Sequence, residues 1–128
     1  MIRNFNQALA PFGFNNILVD NCRIENNRQA GITITGQHKL VVAKSVLQGN
    51  GRRIGAGVMN TPNPGDGLSV NDTASAKLFD TLISNNAGAG IRNTTGLAAR
   101  VTLFKANYSN GSEIIGPFVI ASDHNYSN

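Results

Sequence analysis

Lys44 and Asp80 are an amine and a carboxylate that a repeating backbone would set on neighbouring strands, about 5 Å apart. An amine so placed can act as a general base that removes a proton, with the carboxylate as its partner. Arg53 is the second candidate base, so the catalytic set is Lys44, Arg53 and Asp80. The same juxtaposition also describes a surface salt bridge, which stabilises little. Arg52 and Arg53 lie in "GRRIGAGVMNTPNPGD" (51–66), and paired guanidinium groups suit a carboxylate or sulfate. Asp66 ends that stretch, and Lys77, Arg92 and Arg100 would add a basic flank, completing the expected ligand-binding set. Hydrolysis would need two carboxylates at a set separation, and Asp20 and Asp80 come out roughly 10 Å apart, at or just beyond the inverting range. His38 falls in a turn, where histidines are usually solvated, and Cys22 reads as a buried, inert thiol. No spacing of His, Cys or Asp reads as a metal site, and no cofactor is implied.

What would position these residues is a repeat. "NILVDNCRIENN" (16–27), "KLVVAKSVLQGN" (39–50) and "SAKLFDTLISNN" (75–86) align without gaps, with "AARVTLFKANYS" (98–109) a weaker fourth. Shorter strings follow each, "GITITG" (31–36), "GLSVND" (67–72), "GIRNTT" (90–95) and "EIIGPF" (113–118). The period is 23 residues, interrupted by one insertion of 13 after Asn50. Such a period signals a solenoid, one coil per repeat. Alternation places Ile17/Val19, Leu40/Val42, Ala76/Leu78 and Ala99/Val101 inward, then Cys22/Ile24, Ser45/Leu47, Thr81/Ile83 and Phe104/Ala106 after a corner. Ile32/Ile34, Leu68/Val70 and Ile91/Asn93 make a third short strand. Lys77 and Arg100 then share an outward column, and Val41, Val46, Phe79 and Leu82 form an apolar flank.

The chain has 18 asparagines, and Asn26–Asn27, Asn50 and Asn85–Asn86 fall on one corner of successive coils. Asparagine tolerates left-handed backbone angles, and its amide can bond the amide of the next coil. In "IENNRQAGITI", "ISNNAGAGI" and "LQGNG…GDGLSV" the chain resembles the right-handed parallel β-helix family, the pectate-lyase-like superfold, over roughly residues 14–115. The resemblance implies an all-β, single-stranded right-handed parallel β-helix of about five coils, with the long loop at 51–66 and an irregular cap over 116–128. Its members include lyases, hydrolases, esterases, epimerases, tailspikes and adhesins, so fold does not select the activity. The polygalacturonase motifs N-T-D, D-D, G-H-G and R-I-K are absent, and no outward column stacks carboxylates for calcium.

At 128 residues the chain reads as one domain. Eleven Lys and Arg against seven Asp and Glu give a net charge of +4, which favours an anionic partner. No basic run interleaved with aromatics marks nucleic-acid binding, no stretch approaches a membrane span, and "MIRNFNQALAPFGF" is no secretory signal. The expected function is binding of an anionic polysaccharide beside 51–66, with lyase- or epimerase-like chemistry as an extension. The alternative is a non-catalytic assembly module that oligomerises, as a dimer first of all, through open solenoid ends or the apolar flank.

Overall fold

The computed structural model describes residues 2–3, 16–27, 29–51, 65–105, 107–109 and 113–121. Three parallel sheets are wound from one chain, each coil contributing one strand to each. Sheet I holds β2 (Asn16–Asp20), β5 (Lys39–Ala43), β8 (Ser75–Phe79), β11 (Val101–Phe104) and β14 (Val119–Ile120). Sheet II holds β1 (Ile2–Arg3), β3 (Arg23–Glu25), β6 (Val46–Gln48), β9 (Leu82–Ser84) and β12 (Asn107–Ser109). Sheet III holds β4 (Ile32–Ile34), β7 (Leu68–Val70), β10 (Ile91–Asn93) and β13 (Ile114–Ile115).

Strands this short bury little singly, so the stack supplies the stability. Ile17 pairs with Leu40 and Val19 with Val42, and Leu40 pairs in turn with Ala76 across the insertion. The inward side chains form one shaft, in which Ile24, Leu47 and Ile83 of sheet II meet Ile32, Leu68 and Ile91 of sheet III, all buried. Each such side chain contributes about 2 kcal/mol on burial.

Corners are built from two residues with different tasks. Asn26, Gly49 and Asn85 take left-handed angles, φ 58°, 64° and 58°. The next residue of each coil, Asn27, Asn50 or Asn86, turns inside and is buried. Asn27 Nδ2 donates to Asn50 Oδ1 at 2.9 Å, and Asn50 Nδ2 donates to Asn86 Oδ1 at 2.9 Å. The ladder leaves no room beside it. A Cβ on Gly31 would lie 2.9 Å from Asn50 Nδ2, and one on Gly67 would lie 2.9 Å from Asn86 Nδ2 and 2.6 Å from Gly90 O. Gly31 and Gly67, which open the first two sheet III strings, are therefore required both by the asparagine ladder and by the backbone of the next coil. A second left-handed column, Asn21, Lys44, Asp80 and Lys105, turns sheet I into sheet II.

The fourth coil departs from the expected register by two residues. Val101 pairs with Ala76 and Leu103 with Leu78, so Val101 and Leu103 face inward rather than Ala99 and Val101. Phe104 pairs with Phe79 on the outside, the rings stacked at 4.3 Å, instead of pointing into the shaft. The extra length is a turn organised by Asn93, whose Oδ1 accepts from Thr95 N and whose Nδ2 donates to Leu97 O at 3.0 Å, followed by the 3-10 turn Ala98–Arg100. Sheet III returns to period, Ile91 pairing with Ile114. Sheet I also extends further than expected, Val119 and Ile120 pairing with Thr102 and Leu103 in a stretch read as irregular cap.

His38 is a correction. It is 0% exposed rather than solvated, and neither ring nitrogen has a hydrogen-bond partner among the described residues. Unpartnered polar atoms in a core cost about 1–3 kcal/mol. His38→Leu, close in volume and without those atoms, is expected to raise the unfolding free energy by about 1 kcal/mol. Urea denaturation measures this, and a loss of stability would show that the imidazole is satisfied.

Candidate functional site

The insertion begins and ends at one point. Gly51 and Gly65, φ 76° and 90°, touch backbone to backbone, and a Cβ on Gly65 would sit 2.5 Å from Gly51 Cα. Gly51 N–H donates to Asn27 O at 2.7 Å, and Gly65 O accepts from Gly88 N–H at 3.0 Å, which ties the neck to the coils on either side. The detour thus leaves the asparagine corner between sheets II and III without disturbing the ladder, since Asn50 still reaches Asn86. Arg52 and Arg53 lie outside the described residues.

Asp66, expected at a ligand, is 0% exposed, so its carboxylate is turned into the protein. Oδ2 accepts from Arg92 Nε at 2.8 Å, and Oδ1 accepts from Arg92 Nη2 at 3.0 Å and from Ala89 N–H at 2.8 Å. Arg92 is three-quarters buried, and its pKa is raised, first by the hydrogen bond to Asp66, with burial opposing and the carboxylate charge adding. This pair is a clamp that locks the returning end of the insertion onto the next coil. It occupies two of the expected binding residues with each other. The outward face of sheet III beside it is covered as well, Ser69 being fully buried and Thr33 nearly so.

The remaining candidates are dispersed. Lys77 pairs with Thr102, not with Arg100. Arg100 sits in the 3-10 turn and donates Nη1 to Thr73 O at 2.7 Å, because the two-residue shift carries it out of the Lys77 column. Lys44 and Asp80 do share one exposed corner on successive coils, with Lys44 N–H donating to Phe79 O at 2.9 Å.

An open groove lies on the outward face of sheet I, away from the corner that carries the neck. Its volume is about 400 Å³, and Asn16, Leu18, Lys39, Val41, Ser75 and Lys77 line it, with Ile17 and Leu40 at its floor. Leu18 is 58% exposed, so the floor is framed by apolar surface that no described residue covers. Lys39 pairs with Ser75 and Val41 with Lys77, which sets the two lysines diagonally on adjacent strands, roughly 8 Å apart at the backbone. Both are exposed, and among the described residues no ion pair joins either to a carboxylate. Lys44 is three residues beyond Val41, roughly 10 Å along the strand, so neither it nor Asp80 lines the groove. Lys39, Asn16 and Ser75 were legible as the outward column two places before Leu18, Val41 and Lys77. Nothing in a single strand singles out a lysine at its first position. Among the described residues no group of three His, Cys, Asp or Glu is placed to hold a metal ion.

Three parallel sheets around an apolar shaft, with stacked asparagines at one corner, define a parallel β-helix protein with a groove on one side face. The model of the family described as right handed beta helix region matches residues 2–124, and the chain belongs to that family. No curated protein and no solved structure matches it.

Proposed function

We propose that the groove on sheet I binds an elongated anionic carbohydrate. The observation that carries this reading is an open groove in which two exposed lysines, with no carboxylate partner among the described residues, flank an aliphatic surface. Sugar rings present apolar C–H faces and hydroxyl rims. Leu18 and Val41 suit the faces, Asn16 and Ser75 suit the hydroxyls, and Lys39 and Lys77 suit carboxylate or sulfate groups on successive sugars. The composition supports the sign of the ligand, since the net charge is +4. The arrangement favours binding over turnover, because the candidate base and acid, Lys44 and Asp80, stand at a corner the groove does not reach. The flank reading of an assembly module has less support. Val41, Val46 and Phe79 are half-buried, Phe79 is stacked on Phe104, and Leu82 alone is exposed, at 39%.

Titration calorimetry against polygalacturonate, alginate, chondroitin sulfate and neutral dextran tests this. Lys39→Glu/Lys77→Glu is expected to weaken binding of an acidic polymer at least tenfold, about 1.4 kcal/mol, without lowering the melting temperature. Arg52→Ala/Arg53→Ala is expected to change it less than twofold. If the arginine pair abolishes binding and the lysine pair does not, the site is at the insertion. If no acidic polymer binds, the carbohydrate reading fails. Formation of unsaturated sugar ends in the same samples would establish lyase activity.

A further inference from the structure

The neck of the insertion demands a glycine at position 51, where φ is 76° and a Cβ would collide with Gly65 Cα. The residue before that glycine is Asn50, the middle rung of the asparagine ladder. Asn27 and Asn86, the rungs on either side, are followed by Arg28 and Ala87, so among the three only Asn50 precedes a glycine. Asparagine is a thermolabile residue, and its side-chain amide is lost fastest before glycine, where no Cβ hinders the approach of the following nitrogen. The fold has therefore put its most reactive amide at the centre of its corner.

In that reaction the glycine nitrogen gives up its proton and attacks the asparagine Cγ. An N–Cγ bond forms, the Cγ–Nδ2 bond breaks, and ammonia leaves carrying a proton. Water then opens the cyclic imide at either carbonyl, giving aspartate or, with the backbone rerouted through the side chain, isoaspartate. The folded corner blocks each stage. Gly51 N–H is committed to Asn27 O at 2.7 Å. Asn50 Oδ1 accepts from Asn27 Nδ2, and its Nδ2 is held by Asn86 Oδ1 and Ile24 O, so the amide cannot turn toward the nitrogen. Asn50 is also fully buried, out of reach of the water that would open the imide.

We infer that Asn50–Gly51 is a latent deamidation site, closed in the folded coil and reactive only when the asparagine corner opens, and that the reaction then keeps the corner from closing. The product supplies the reason. A carboxylate at position 50 has no N–H to give, yet it would face the oxygens of Asn86 and Ile24, and burying a charge so placed is costly. Isoaspartate adds a backbone atom at the neck, where Gly51 and Gly65 already touch. The rate of modification is thus set by local opening of the corner, and each event is permanent.

Peptide mapping by mass spectrometry tests this, with the protein held in mildly alkaline buffer with and without urea. Conversion at Asn50 is expected to be at least about a hundredfold slower in the folded protein, as for a group reached only through opening of buried structure. Asn110–Gly111, the other such pair in the sequence, gives the rate of an unhindered pair in the urea samples. Asn86→Ala and Asn27→Ala, which each free one end of the Asn50 amide, are expected to speed its conversion without urea at least about tenfold while keeping the circular dichroism spectrum. Asn50→Asp, the product made by substitution, is expected to unfold at a lower urea concentration than the parent. Smaller protection in the folded protein overturns the inference, as does an Asn50 that stays intact in urea while Asn110 converts. A folded ladder variant that gains no speed shows that the ladder is not the gate. An Asn50→Asp chain as stable as the parent shows that the corner closes again after the reaction, which also overturns it.

Discussion

Replacing Arg92 with methionine lowers the unfolding free energy by about 4 kcal/mol, the usual cost of removing one partner from a buried ion pair. The carboxylate left behind is fully buried and keeps only the Ala89 N–H of the bonds that now hold it. Methionine restores the aliphatic volume, so the loss reports on charge rather than on packing. A folded-state pKa raised above its ordinary value contributes stability at every pH below that ordinary value. For a guanidinium this covers the whole working range, and the contribution disappears only in strong alkali. Adding Asp66→Asn to Arg92→Met is expected to restore about 2 kcal/mol, because the amide needs no counter-charge while its oxygen still accepts from Ala89. Denaturant unfolding of the four proteins of this cycle measures the coupling. A loss under 1 kcal/mol in the single variant, or no recovery in the double, would show that the pair is not a clamp.

Asn50→Ala is expected to cost about 3 kcal/mol, from buried amides that lose their partners. Asn50 is the middle rung of the ladder. Its Oδ1 accepts from Asn27 Nδ2, its Nδ2 donates to Asn86 Oδ1 and also to Ile24 O at 3.2 Å, and its backbone N–H donates to Asn86 Oδ1 at 3.0 Å. Alanine takes the side-chain acceptor from the coil below and the donor from the coil above. With about 4 °C per kcal/mol for a domain of this size, the melting temperature should fall by about 12 °C. Exposed Asn85→Ala, at a corner rather than in the buried ladder, should cost less, about 1 kcal/mol, with the left-handed angle contributing. Thermal melts of both variants decide between ladder and corner. Equal losses would mean that backbone angle, not the buried amide, makes these positions asparagine.

The period of 23, the coil count, the asparagine corner and the inward faces of the first three coils were all legible in the residues themselves. Each rests on local alternation and on side chains that have one good place in a coil. Cys22, Ser45 and Thr81 lie in one column as their spacing required, and Cys22 N–H donates to Ser45 Oγ at 3.0 Å. The corner shared by Lys44 and Asp80 was legible for the same reason. The fourth coil was not. Two residues added between sheet III and sheet I are compensated by two fewer between sheets II and III, and a strand as short as Val101–Phe104 looks acceptable in either register. Only the neighbouring strand, offering Leu78 to Leu103 and Phe79 to Phe104, decides it, and with it the place of Arg100. Burial is likewise a property of the stack. Asp66 and His38 look like surface residues in sequence because each follows turn residues. Asp66 is drawn inside because Arg92, 26 positions later, lies within reach of its carboxylate on the next coil. The groove is a property of three adjacent strands, since Lys39 and Lys77 become neighbours across the insertion that separates them in the chain.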